Sequence, residues 1–194
     1  MVQNYIKKTD EVSYDGISIN KGKEALIITE AHQKYLIADK YSPYWDVYNC
    51  NDTNMERTIR DIIKEIKYEG IFEFEFIVDC NNKMWFLEIN FRNTALGYST
   101  TVAGMPQVVI WCESMEKGEL SRKCIKPVPE GFTAMAECFD YDARVKQGLI
   151  NKRKWIEQYK TANCKLYKGH DDYLPFFTFM LYKLKSRIKK SIIS

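Results

Sequence analysis

Apolar and polar positions alternate with period two along residues 70–79 (GIFEFEFIVD) and again along 84–92 (MWFLEINFR). Successive side chains of a strand point to opposite faces, so Phe72, Phe74, Phe76 and Val78 share one face. Glu73, Glu75, Ile77 and Asp79 take the other. In the second arm Trp85, Leu87, Ile89 and Phe91 alternate with Met84, Phe86, Glu88 and Asn90. Asn81-Asn82 tolerates the positive φ of a tight turn, which predicts a hairpin with a two-residue loop. Cys80 then faces Lys83, Glu75 faces Glu88 and Glu73 faces Asn90. The result is an apolar wall on one side and three carboxylates with a carboxamide on the other.

Residues 53–69 change period: Met55, Ile59, Ile62, Ile63 and Ile66 form one helical stripe. Thr53 and Glu56 have capping-box spacing, and Gly70 supplies a stop. This helix is expected to pack on the Phe/Trp wall of the hairpin. Upstream, residues 2–6 (VQNYI) read as a strand. Residues 11–14 and 17–19 read as two short arms around Asp15-Gly16. Lys21-Gly22-Lys23 turns the chain into a strand over 25–29. Residues 30–51 are rich in aromatics (Tyr35, Tyr41, Tyr44, Trp45, Tyr48), and His32 among them reads as ordinary rather than catalytic.

Downstream, Pro106 opens a helix that runs to Lys117 and stops at Gly118. Val108, Val109, Trp111, Cys112 and Met115 predict that it is largely buried. A connector (125–129), a strand (132–139), a short helix (151–159, with Trp155 and Ile156 inward), a turn (169–172) and a closing helix (176–193) complete the chain. The closing helix carries Lys183, Lys185, Arg187, Lys189 and Lys190. A basic amphipathic tail can bind anionic membranes, although such a charge run more commonly forms a solvated face.

Composition narrows the function. The 194 residues are 45% apolar and 28% charged, ordinary for a globular domain. A net charge of +3 is too mild to argue for nucleic acid. Six dispersed cysteines without a C-x-x-C pair, and only two histidines, argue against zinc. The absence of a signal peptide points to reduced thiols in the cytoplasm, and no apolar run is long enough to span a bilayer.

The acidic face therefore carries the chemistry. Like charges directly opposite one another destabilise a sheet. A divalent cation removes that penalty, and oxygen ligands shared with substrate phosphates suit Mg²⁺. Arg92 keeps the parity of Asn90 and is placed to reach such a phosphate. A plain hairpin with one solvated face would show the same alternation, and a one-residue slip would dissolve the cluster.

Gly-x-x-x-x-Glu-Phe from Gly70, followed by Phe-Leu-Glu-Ile-Asn-Phe-Arg, resembles the C-terminal half of the ATP-grasp fold. The continuation through Asn93-Thr94 to Ala103-Gly104-Met105-Pro106 is similar to that family too. The resemblance implies an α+β lobe, a mainly antiparallel sheet backed by helices, over residues 1–130, with residues 131–194 as an extension packed on it. It implies that Glu75, Glu88 and Asn90 hold Mg²⁺ (or Mn²⁺) and that Arg92 contacts the transferring phosphoryl group. Glu73 shares the acidic face, but the spacing from Gly70 selects Glu75. The segment Gln3, Asn4, Tyr5 and Ile6 would line the adenine pocket of ATP, and Glu11 would take the ribose hydroxyls. The implied reaction activates a small carboxylate as an acyl phosphate, which an amine or thiol acceptor then attacks. The Glu-Ile-Asn-Phe-Arg form and the tail after Gly131 most resemble carboxylate–amine ligases related to D-aspartate ligase; the ATP-grasp domains of carbamoyl-phosphate synthase large chains are a second likeness. The chain opens almost at the hinge, so the N-terminal lobe is expected to be missing, leaving this chain inactive alone. A homodimer is left open. A non-catalytic scaffold that keeps the acidic hairpin and acts through partners is the alternative.

Overall fold

The computed structural model describes residues 4–37, 43–169 and 172–193. Among these, seven strands form one sheet in the order β5-β4-β1-β2-β3-β6-β7. The strands are β1 (Asp10–Ile19), β2 (Glu24–Gln33), β3 (Tyr44–Tyr48), β4 (Gly70–Val78), β5 (Met84–Asn90), β6 (Thr133–Met135) and β7 (Cys164–Lys165). All pairings are antiparallel except β6 with β7. The helices are α1 (Thr53–Glu65), α2 (Gly97–Val102), α3 (Gln107–Lys117), α4 (Glu137–Asp140), α5 (Lys152–Thr161) and α6 (Leu174–Ile193), with a π-helical turn over Tyr141–Val145. This is an α+β lobe, and residues beyond 131 extend its sheet through β6 and β7.

The sheet has two covered faces. On one, Ile59 and Ile63 of α1 pack against Val12, Tyr14, Ala25, Ile27, Phe72, Phe74 and Phe76. On the other, α3 contributes Ile110 to a core with Ile17, Leu26, Ile28, Trp45 and Phe132. Gln107 Nε2 donates to Gly16 O at 2.8 Å and Trp111 Nε1 to Ser18 O at 3.2 Å, tying α3 to β1.

Several elements depart from the periodic reading. Residues 11–19 are not two arms around a turn: β1 runs straight through Asp15-Gly16, with a bulge against β2 there. Gly16 serves a close approach instead, since a Cβ would lie 2.4 Å from the Phe72 ring. The turn sits at Asn20-Lys21-Gly22, all at positive φ. Asn4, Tyr5 and Ile6 form no strand, and Gln3 lies outside the described residues.

Helix α1 ends at Glu65, before Gly70, with Lys67 at φ 55° in the exit turn. Its cap is Asp52, whose Oδ1 accepts from Asn54 N (2.9 Å) and Met55 N (3.0 Å), rather than the Thr53/Glu56 pair. Helix α3 stops at Gly118, φ 71°, as the sequence predicts. It buries Gln107, Ile110 and Ser114, while Val108, Val109, Cys112 and Met115 face outward. Hydrogen bonds rather than apolar content choose the face: Gln107 reaches β1, and Ser114 Oγ accepts from Ser121 N at 2.8 Å. Residues 132–139 give only the three-residue β6 before α4. On α5, Trp155 turns inward and donates to Asp140, but Ile156 is exposed. The turn expected at 169–172 includes two residues outside those described.

Candidate functional site

The hairpin of β4 and β5 reaches the expected register at its base by another route. Asp79 O accepts from Asn82 N (3.0 Å), and Asp79 N donates to Lys83 O (3.1 Å), so the loop has three residues, Cys80, Asn81 and Asn82. Asn82 takes the left-handed conformation at φ 58°, as such loops require. Near the tip the pairs are Val78↔Met84, Ile77↔Trp85 and Phe76↔Phe86, one residue off the two-residue-loop register. A bulge between Phe76 and Glu75 absorbs the difference, and Glu75↔Glu88, Phe74↔Ile89 and Glu73↔Asn90 follow.

The bulge corrects the faces of the second arm. Met84 and Phe86 join the Phe74/Phe76 side, with the Phe86 ring 5.9 Å from that of Phe76. Trp85 instead shares the side of Asp79, to which its Nε1 donates at 2.9 Å. The apolar wall that receives α1 is thus Phe rather than Phe/Trp.

At the base, Asn90 is the hub. Its Nδ2 donates to Glu75 Oε1 at 2.7 Å and Glu73 Oε2 at 3.1 Å, with Glu88 Oε1 at 3.5 Å. Arg92 donates through its guanidinium to Asn90 Oδ1 at 3.1 Å and to Asn93 O at 3.4 Å. Four of the predicted residues, Glu75, Glu88, Asn90 and Arg92, are therefore in one cluster. Glu11 lies on the same face, on β1 next to β4, where Lys8 (2.5 Å) and Gln33 hold its carboxylate. Asn4, Tyr5 and Ile6 precede β1, and Tyr5 is exposed.

One acidic residue escaped the periodic reading. Asp15, taken for a turn residue, pairs directly with Glu73 across β1 and β4 and is fully buried. Its alternation with Val12 and Tyr14 was the available signal, masked by the Asp-Gly dipeptide. Burial pushes the Asp15 carboxyl above its ordinary range, the more so beside Glu75 and despite the Thr29 hydroxyl at 3.5 Å. Burial likewise raises Glu73, aided by the charges of Asp15 and Glu75. Glu75 is raised by burial and by Glu88 and Glu11, against its hydrogen bonds to Glu73 and Asn90. The strands thus crowd carboxyls into a poorly solvated strip, where protons or a cation must offset like charge.

The donor set fits a hard cation: carboxylates and a carboxamide, without sulfur or imidazole. Among the described residues no three His, Cys, Asp or Glu side chains converge into an all-protein cage. Mg²⁺ does not require one, since it is commonly bound by one or two carboxylates and substrate phosphates. Asn90 directs its amide nitrogen at the carboxylates, and a half-turn of the carboxamide presents Oδ1 instead.

No family model matches the sequence, and no curated protein matches it. Solved structures do. N5-carboxyaminoimidazole synthetase from Staphylococcus aureus complexed with ADP superposes on 75% of this chain and 39% of its own, with a TM-score of 0.53 and 18% identity. The biotin carboxylase–β,γ-ATP complex from Campylobacter jejuni aligns over 64% of this chain and 29% of its own, with a TM-score of 0.52 and 21% identity. The fold is ATP-grasp. The chain spans about two fifths or less of the length of these ATP-grasp structures. Among the described residues of the ATP-grasp lobe, the acidic base of β4 and β5 gathers oxygen donors that suit a hard cation. Among the described residues, no helix is long and apolar enough to cross a membrane.

Proposed function

We propose that this lobe is the nucleotide- and Mg²⁺-binding part of an ATP-dependent carboxylate–amine (or thiol) ligase. The observation that supports this reading is the direct opposition of Glu75 and Glu88, bridged by Asn90, with Arg92 held on the same carboxamide. Glu75, Glu88 and Asn90 would hold Mg²⁺, and Glu73 would remain a protonated, buried neighbour. When bound, the ion supplies positive charge against the phosphates of ATP and the group in transfer. Arg92 adds a fixed guanidinium on the same side, matched to phosphate oxygens. Glu11, already oriented by Lys8 and Gln33, offers acceptor oxygens for the ribose hydroxyls, and residues 3–6 would border the base. ATP would phosphorylate the substrate carboxylate; the acceptor then displaces phosphate from the acyl phosphate. Positioning and charge stabilisation are what phosphoryl transfer asks of the protein. A partner lobe covering the phosphates and a cytoplasmic setting belong to the same proposal.

Calorimetric titration of Mg²⁺ with a non-hydrolysable ATP analogue tests it, together with electron paramagnetic resonance of Mn²⁺ bound to the chain. Glu88→Ala is expected to weaken metal-dependent binding about tenfold or more, since a charge-assisted contact carries on the order of 1.5–3 kcal/mol. Metal and nucleotide affinities identical in wild type and Glu88→Ala would instead assign the acidic hairpin to a scaffold role.

A further inference from the structure

Helix α6 turns two different faces to its surroundings. Phe179 packs inward, its ring 5.6 Å from Phe139 and 4.9 Å from Tyr167. Lys183 follows one turn later and donates to Asp142 Oδ2 at 2.5 Å and to Cys138 O at 3.2 Å. These contacts fix the orientation of the helix on α4 and the π-helical turn. The opposite face is apolar and open: Leu174, Phe177 and Leu181 are 71%, 60% and 58% exposed. They recur at the i, i+3, i+7 spacing of a single helical stripe, and exposed Tyr173 and Tyr182 flank it.

The charge of this segment is one-sided. Residues 173–194 contain Lys183, Lys185, Arg187, Lys189 and Lys190 and no acidic residue. Five of the chain's 29 basic and none of its 26 acidic residues fall there, so the rest of the chain is net negative. An apolar stripe followed by Lys185, Arg187, Lys189 and Lys190, in a segment without an acidic residue, is complementary to a surface that is apolar beneath and anionic at its rim. An α6-to-α6 pairing with a second copy of the chain fits poorly, because each α6 offers the other no acidic partner.

We propose that α6 is a peripheral anchor for anionic lipid bilayers. Leu174, Phe177 and Leu181 lie in the plane of the interface, below the headgroups. The positive charge of Lys185, Arg187, Lys189 and Lys190 favours anionic headgroups, while Lys183 stays on Asp142. The acidic site on β4 and β5 takes no part in this contact.

Co-sedimentation with vesicles tests the assignment, using pure phosphatidylcholine and a phosphatidylserine/phosphatidylcholine mixture as probes. Wild type is expected to partition at least about tenfold more strongly onto the anionic vesicles, and to lose most of that binding as salt rises. Phe177→Asp with Leu181→Asp should abolish binding while circular dichroism stays unchanged, both side chains being exposed. Lys185→Glu with Lys189→Glu and Lys190→Glu should remove the preference for phosphatidylserine. Failure to sediment with anionic vesicles at low salt would overturn the proposal. So would binding undiminished in the Phe177/Leu181 variant. Wild-type self-association abolished by that variant, without vesicle binding, would assign the stripe to a second copy. Capture of an acidic protein by the same face, without vesicle binding, would assign it to a protein partner.

Discussion

His32 shows how far one residue's meaning depends on its neighbours across the sheet. Its Nδ1 lies 2.7 Å from Asp10 Oδ2 and its Nε2 lies 2.8 Å from Glu30 Oε1, with the Tyr48 ring edge-on at 5.7 Å. The hydrogen bonds to Asp10 and Glu30 raise its pKa to about 9, outweighing burial. A raised folded-state pKa contributes stability that is fully present below the unfolded value of 6.5 and fades as pH rises through about 9. The thermal midpoint of His32→Gln should therefore vary less than wild type's between these pH values, measured in parallel melts. Arg144 makes a second case: 3% exposed, it forks onto Asp140 at 2.8 and 2.7 Å beneath the Tyr35 ring. Arg144→Ala strands a buried carboxylate and should cost about 3–5 kcal/mol in denaturant unfolding. Asp140–Arg144 has the i, i+4 spacing of a helical ion pair and Glu30–His32 share a strand face, but the burial of the first pair and the arrival of Asp10, 22 residues away, were not legible in the chain.

Elements were legible where one period dominated and misread where a side chain took an unforeseen partner. The stripe of α1 from Met55 to Ile63 and the alternation of β4 carried through because burial on one face enforces a single period, whereas Ile66 falls past the helix end and is exposed. Asp-Gly in β1 misled because the dipeptide favours turns, whereas here the glycine makes room for Phe72. Gly16→Ala should accordingly destabilise the fold by about 1–3 kcal/mol through overpacking, as chemical denaturation would report. At the start of α1, Asp52→Ala should cost about 1 kcal/mol, the usual worth of a side-chain cap. Thr53→Ala should change the same unfolding midpoint much less, since Asp52 Oδ1 already accepts from two of the free amides. The acidic cluster was readable because Glu75, Glu88 and Asn90 sit within one hairpin. Asp15 was not, because it enters from a strand nearly sixty residues earlier in the chain.

On the scale of the whole molecule, one sheet sorts structural and chemical roles by face and by edge. Helix α1 covers the phenylalanine side, α3 covers the centre of the other, and on that second side the carboxyls run toward β5 from buried Asp15 and Glu73 to exposed Glu88. The sheet order was beyond any periodic argument, since periodicity says which side chains share a face but not which strands are neighbours. Alternation could not reveal the bulge beside Glu75 either, because the two-residue-loop register and the bulged one coincide at the base of the hairpin. That coincidence has a mechanical consequence. The tip of the β4–β5 hairpin is insulated from its base: a residue gained or lost around Cys80–Asn82 can be taken up at the bulge before it reaches the carboxylates. The outer half of the hairpin is thereby free to diverge in length and composition, while the paired acids behind it keep their spacing.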